Sequence, residues 1–79
     1  YYAGRYAAKE AVAKALGTGF SGEVTWHDVE ILRSASGAPT VSLSDGALAV
    51  AEALGITDWF LSISHGDSFA IASAIAVAG

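Results

Sequence analysis

Four charged side chains stand close together in GRYAAKEAVAKALGTG (residues 4–19): Arg5, Lys9, Glu10 and Lys14. They include every basic residue of the chain except Arg33, although the formal net charge is −4. On a helical wheel of about 100° per residue, Arg5 and Lys9 fall one turn apart on one edge. Glu10 and Lys14 fall one turn apart on a second edge, roughly 140° further round. Tyr2, Tyr6 and Ala13 fill the arc between. Glu10 and Lys14 suit an i,i+4 ion pair in its better orientation, worth about 0.2–0.5 kcal/mol. Arg5 and Lys9 fit that account poorly. Like charges at this spacing repel mildly, and no acid of the helix lies opposite them. Two cations beside a carboxylate also suit a polyphosphate, with a metal held through the carboxylate. Magnesium takes one or two protein carboxylates and completes its shell with water and phosphate oxygens.

A second group is LSISHGD (residues 61–67). In a strand, Leu61, Ile63 and His65 share one face, and Phe60, Ser62 and Ser64 the other. A histidine closing a strand is more often structural, and alternating serines are usually a polar sheet face. A serine and a histidine at a sheet end also suit anion binding or proton transfer. His27, at a strand start, attracts no functional reading. The GTG of residues 17–19 is too short to stand as a phosphate loop, and helix capping accounts for Gly17.

The elements that must hold these groups follow from periodicity. A helix over residues 2–16, stopped by Gly17 in a left-handed conformation, carries the charged edges. HDVEILRS reads as a strand with Val29, Ile31 and Arg33 on one face, ASGAP as a turn, and TVSLS as the returning strand. Ser44 can cap a second helix over residues 45–54, with Asp45 at its positive end and Gly55 as its stop. DWFLSISH and DSFAIASAIAVA are two further strands joined by a tight turn at GD. The order α-β-β-α-β-β gives an α+β class with an antiparallel sheet. In the last strand Phe69, Ile71, Ser73, Ile75 and Val77 share one face, and Ala70, Ala72, Ala74 and Ala76 the other. Ala7, Ala8, Ala11 and Ala15 make a matching small face on the first helix. The expectation is close packing of that helix on the sheet, across the alanine strand.

Composition bounds the function. Seventy-nine residues make one small domain, which buries a modest fraction of its surface. With no cysteine there are neither disulfides nor thiolate metal sites, which fits a reducing cytoplasm. Net acidity argues against general nucleic-acid or anionic-membrane binding. The longest apolar-rich run, residues 69–78, is too short to span a bilayer. An apolar content of 53% in so small a chain also points to an oligomer.

Together GRYAAKEAVAKALGTG, DVEIL…GAPTVSL and LSISHGDSFAIASAIA resemble, in order and over essentially the whole chain, the holo-[acyl-carrier-protein] synthases. These are the small bacterial class of 4′-phosphopantetheinyl transferases. The resemblance implies that fold, with an antiparallel sheet packed on the long alanine-rich helix. It implies transfer of the 4′-phosphopantetheine arm of coenzyme A to a serine of apo-acyl carrier protein, in fatty-acid or polyketide biosynthesis. It implies Glu10 as a magnesium ligand and Lys14 as a contact to the phosphates. Arg5 and Lys9 would share the anion site, Gly17 and its loop would line the coenzyme site, and Ser64 and His65 would meet the coenzyme phosphates. His65 would also take part in catalysis.

A homotrimer with coenzyme sites at subunit interfaces, in the cytoplasm, is expected of this class. The family also has an opening strand with a glycine–aspartate motif, whose aspartate is the second magnesium ligand. A following helix supplies the basic docking surface for the carrier protein. Neither is among residues 1–79, which are therefore expected to be the C-terminal portion of a single transferase domain, with little activity alone. The same module occurs at the C-terminus of fungal fatty-acid synthase α chains. A module of a larger synthase and a non-catalytic binding scaffold are the competing readings.

Overall fold

The structure, a computed structural model, describes residues 2–19, 22 and 24–79. Helix α1 (Tyr2–Ala15) leads into a single 3₁₀ turn (Trp26–Asp28) and strands β1 (Val29–Arg33) and β2 (Pro39–Leu43). Helix α2 (Asp45–Ala53) and strands β3 (Ile56–His65) and β4 (Ala70–Ala78) follow. The strands form two antiparallel hairpins, β1–β2 and β3–β4. No described helix is long and apolar enough to cross a membrane.

Alanine-rich composition favours α1 intrinsically, and a buried ridge of Ala8, Val12 and Leu16 holds it to the core. Gly17, at φ 83°, ends it as expected. The Gly17 amide turns back to the Lys14 carbonyl at 2.9 Å, and the Gly19 amide reaches the Ala13 carbonyl at 3.2 Å. Val24, Val29 and Ile31 complete the interior with Ala47 and Ala51 of α2. In β1 Val29 and Ile31 are buried, and the same face ends at exposed Arg33, which donates to the Gly37 carbonyl at 2.9 Å.

The hairpin β3–β4 has two unlike faces. Its inner face, with Trp59, Leu61, Ile63, Ala72 and Ala74, packs on the core. Its outer face leaves Phe60, Ile71 and Ile75 each 62% exposed. The expected contact between α1 and the alanine face is therefore present. Ala8 is fully buried, while Ala7, Ala11 and Ala15 lie half-buried beside Ala72 and Ala74. Without side chains beyond Cβ, the two backbones can approach closely.

Four details differ from the sequence expectation. Residues 27 and 28 belong to the 3₁₀ turn, not to the first strand. β3 begins two residues earlier than expected, at Ile56, with a bulge before Asp58. The second hairpin closes on Gly66, whose amide donates to the Phe69 carbonyl at 3.0 Å. The turn residues are thus Asp67 and Ser68, and β4 starts at Ala70. Glycine at position 66 serves packing, since a Cβ there would run into the Phe69 ring.

The fourth is the cap of α2. Ser44 occupies the N-cap position but its side chain makes no capping bond. Asp28 does so instead, from another element. One of its carboxylate oxygens accepts the Ala47 amide at 3.2 Å, and the other accepts the Thr25 hydroxyl at 3.0 Å. A buried carboxylate at a helix N-terminus satisfies orphan amides and suits the positive end of the helix dipole.

Candidate functional site

Helix α1 distributes its four charges among three surroundings. Glu10 and Lys14 line an open groove of about 520 Å³ between α1 and β4. Its floor is Ala7, Ala11 and Ala15 on one side and Ala72, Ser73 and Ala74 on the other. Glu10 is half-buried and Lys14 exposed. The two make no ion pair with each other among the described residues. A carboxylate and an ammonium one helical turn apart thus face space bounded by small side chains, where a bulky, multiply charged ligand has room.

Arg5 lies elsewhere. With Arg33, Gly37, Pro39 and Ile63 it lines a hollow of about 250 Å³ beside the β1–β2 turn. Two guanidinium-bearing side chains there suit an anion. Nothing local in the sequence pairs Arg33 with Arg5; only the return of the first hairpin onto α1 does so.

Lys9 has a third environment. Its ammonium donates to the Trp26 carbonyl at 3.0 Å and sits 4.3 Å above the centre of the Trp26 ring. Tyr6, one turn earlier, meets the same ring at 4.9 Å and an interplanar angle of 46°. Burial pulls the Lys9 ammonium below the ordinary lysine range, and the Glu30 carboxylate pushes it back. The helix does lack an acid opposite Lys9, but β1 supplies one. The cationic pair read from the wheel is therefore split. Arg5 faces the hollow, whereas Lys9 is engaged with Trp26.

Asp28 had no place among the residues read as functional. Burial raises its pKa, but hydrogen bonds from the Thr25 amide and hydroxyl and from the Ala47 and Gly46 amides outweigh that. They hold the carboxyl below the usual range. Its role is architectural. It ties the 3₁₀ turn carrying Trp26 to the start of α2, over a sequence separation that no local cap signal reveals.

Of the remaining expected residues, Ser64 lies apart from the groove within one copy of the chain. Ser64 is exposed on the outer face of β3, opposite Ile71, while α1 covers the inner face. The His65 backbone ends β3 opposite Ala70; its side chain lies outside the described part of the structure. Gly17 caps α1 one turn beyond Lys14, and residues 20, 21 and 23 of its loop are outside the described residues.

The donor set can be tested against a metal. The described residues contain no group of three or more His, Cys, Asp or Glu side chains placed to hold one. One half-buried carboxylate at an open groove, beside an ammonium, still fits a magnesium ion that draws most of its ligands from water and substrate oxygens. Glu10 is the residue that would hold it.

Comparison with known proteins agrees on one family. The family model of the 4′-phosphopantetheinyl transferase superfamily matches residues 1–74. The chain is 56% identical over 75 residues to the holo-[acyl-carrier-protein] synthase of Natranaerobius thermophilus, covering 95% of this chain and 59% of that protein. Against the synthase of Desulforudis audaxviator it is 58% identical over 76 residues, covering 96% and 57%. The crystal structure of Helicobacter pylori holo-[acyl-carrier-protein] synthase in complex with coenzyme A aligns at a TM-score of 0.82 and 36% identity. That alignment covers 95% of this chain and 63% of that one. The Plasmodium yoelii acyl carrier protein synthase with ADP bound aligns at 0.83 and 42% identity, covering 94% and 55%. The chain therefore spans less than two thirds of the length of these relatives.

Proposed function

The chain belongs to the 4′-phosphopantetheinyl transferase superfamily, and from that premise we propose that it serves holo-[acyl-carrier-protein] synthesis. The reaction moves the 4′-phosphopantetheine arm of coenzyme A to a serine of apo-acyl carrier protein, in fatty-acid or polyketide biosynthesis. The single observation that carries this reading is the Glu10–Lys14 pair over an alanine floor. It supplies opposite charges at an open groove with room for a pyrophosphate.

In the reaction, the serine hydroxyl oxygen bonds to the phosphorus that bears pantetheine. The bond from that phosphorus to the oxygen bridging to adenosine 3′,5′-bisphosphate breaks, and the serine proton is lost. Such transfers demand positioning and charge stabilisation more than covalent help from the protein. Lys14, exposed at the groove, would offer its ammonium to phosphate oxygens and to the leaving group. Arg5, with Arg33 in its separate hollow, would hold a further phosphate of the coenzyme. Glu10 would hold magnesium, which when bound supplies neutralising charge at the pyrophosphate. Gly17 ends the helix so that the chain turns away just past Lys14. Ser64 and His65 remain assigned to the coenzyme phosphates, with His65 in proton transfer.

Because Ser64 is not among the residues that line the groove, a complete site would draw these residues from different copies. Self-association, as the homotrimer implied by the resemblance, would also cover Phe60, Ile71 and Ile75. A cytoplasmic location fits the substrates.

The test is incubation of the full-length protein with coenzyme A, magnesium and an apo-acyl carrier protein, followed by intact-mass spectrometry. Gain of one phosphopantetheinyl group on the carrier serine is expected. An unchanged carrier, with folded protein, would refute the proposal.

A further inference from the structure

Lys9 stands next to Glu10 in sequence, yet its ammonium is held outside the groove by Trp26. Beside the buried ridge of Ala8, Val12 and Leu16, the side of α1 turned to β4 carries only the small side chains of Ala7, Ala11 and Ala15. That side adds little interdigitation of its own to the ridge, so the other edge can contribute to how far the helix is rolled about its axis. The contacts at the other edge have direction. Lys9 donates one hydrogen bond to a backbone carbonyl and sits over an indole, and Tyr6 presses the same ring from one turn away. Trp26 is itself anchored, because it opens the 3₁₀ turn that Asp28 ties to the amide end of α2.

We propose that Lys9 is a positioning residue. Through Trp26 it sets the roll of α1, and with it the direction in which Glu10 and Lys14 face the groove. Side-chain ends lie about 5–6 Å from the helix axis. A roll of about 10° therefore moves the Glu10 carboxylate by about 1 Å, and misplacement of that size can cost on the order of a hundredfold in rate. The inference rests on the transferase reading of the groove, and it takes Lys9 out of the phosphate contacts.

The experiment is a double-mutant cycle in the full-length protein with Lys9→Met, Trp26→Leu, the double variant, and Lys9→Arg. Transfer kinetics and calorimetric coenzyme A affinity are both measured. Each single variant is expected to lose about tenfold to a hundredfold in kcat, with Kd for coenzyme A measured without magnesium within about twofold. The double variant should be no worse than the weaker single one, since both remove the same link. Lys9→Arg should restore most of the loss, because guanidinium keeps the cation over the ring.

A measurement on the unmutated protein guards against misfolded variants. The Lys9 side-chain methylene protons should be shifted upfield by the Trp26 ring, and stay so when coenzyme A and magnesium are added. Three results would overturn the proposal: Lys9→Met weakens coenzyme A binding without magnesium, Lys9 leaves the ring on coenzyme addition, or both single variants lose melting temperature alone. Failure of the transferase reading itself would look different, as a carrier left unmodified by the unaltered, folded protein.

Discussion

The two charged edges of α1 begin alike in the sequence and end differently in space. On the Glu10–Lys14 edge, a carboxylate and an ammonium face an open groove and do not pair with each other. On the other edge, Lys9 has a carbonyl, an aromatic ring and a nearby carboxylate. Charges satisfied by the protein support its fold, while charges left facing open space are available to a ligand. The difference separates the Glu10–Lys14 edge, open to a ligand, from the Lys9 position, which fastens the helix.

The comparison would break most visibly at Glu10. Glu10→Gln is expected to reduce magnesium-dependent transfer by a factor of about 100 or more, with the melting temperature unchanged because the side chain faces open space. An equal loss of stability would mean that this edge is structural too. Next in size is Ala8→Leu, on the buried ridge both edges share. Overpacking there should cost about 1–3 kcal/mol in a urea titration. Both edges should fail together.

Asp28 tests the fastening side through pH. Its carboxyl is held below the ordinary range in the folded chain. The resulting stability is fully present above the unfolded value of about 4 and is lost as pH falls through the lower folded value. Asp28→Asn should therefore be less stable at neutral pH and should lack that part of the acid-dependent decline in urea midpoints. An unchanged acid limb would contradict the role given to Asp28. The smallest effect is expected at Ile75→Ser, on neither edge. Stability of the single copy should stay within about 0.5 kcal/mol, while sedimentation should report weakened self-association. Unaltered assembly would mean that the outer face of β3–β4 is not the contact.

The outcome at the two edges also marks what the sequence could reveal. Helix α1, both hairpins and the alanine contact with β4 were legible because each is a periodic pattern with its own stop signals, such as Gly17. Glu10 and Lys14 share an edge by helical geometry alone, so their meeting at one groove was legible as well. The partner of Lys9 was not, since Trp26 reaches it through a loop and a 3₁₀ turn that no helical spacing encodes. The cap of α2 misled for a related reason. Ser44 stands at the correct position with a suitable side chain, yet Asp28 supplies the acceptor. Local rules identify which amides need a partner, and tertiary structure decides which residue provides it. Arg33 joined Arg5 in the same way, when the first hairpin folded back onto α1.

The central claim is that the open edge binds magnesium and coenzyme together, with Glu10 as the metal's protein ligand. Calorimetric titration of coenzyme A into the full-length protein, with and without magnesium, tests it most directly when repeated on Glu10→Gln at matched melting temperature. The account predicts that magnesium strengthens coenzyme binding to the unaltered protein and that this increment disappears in Glu10→Gln. An increment of the same size in both proteins would contradict it.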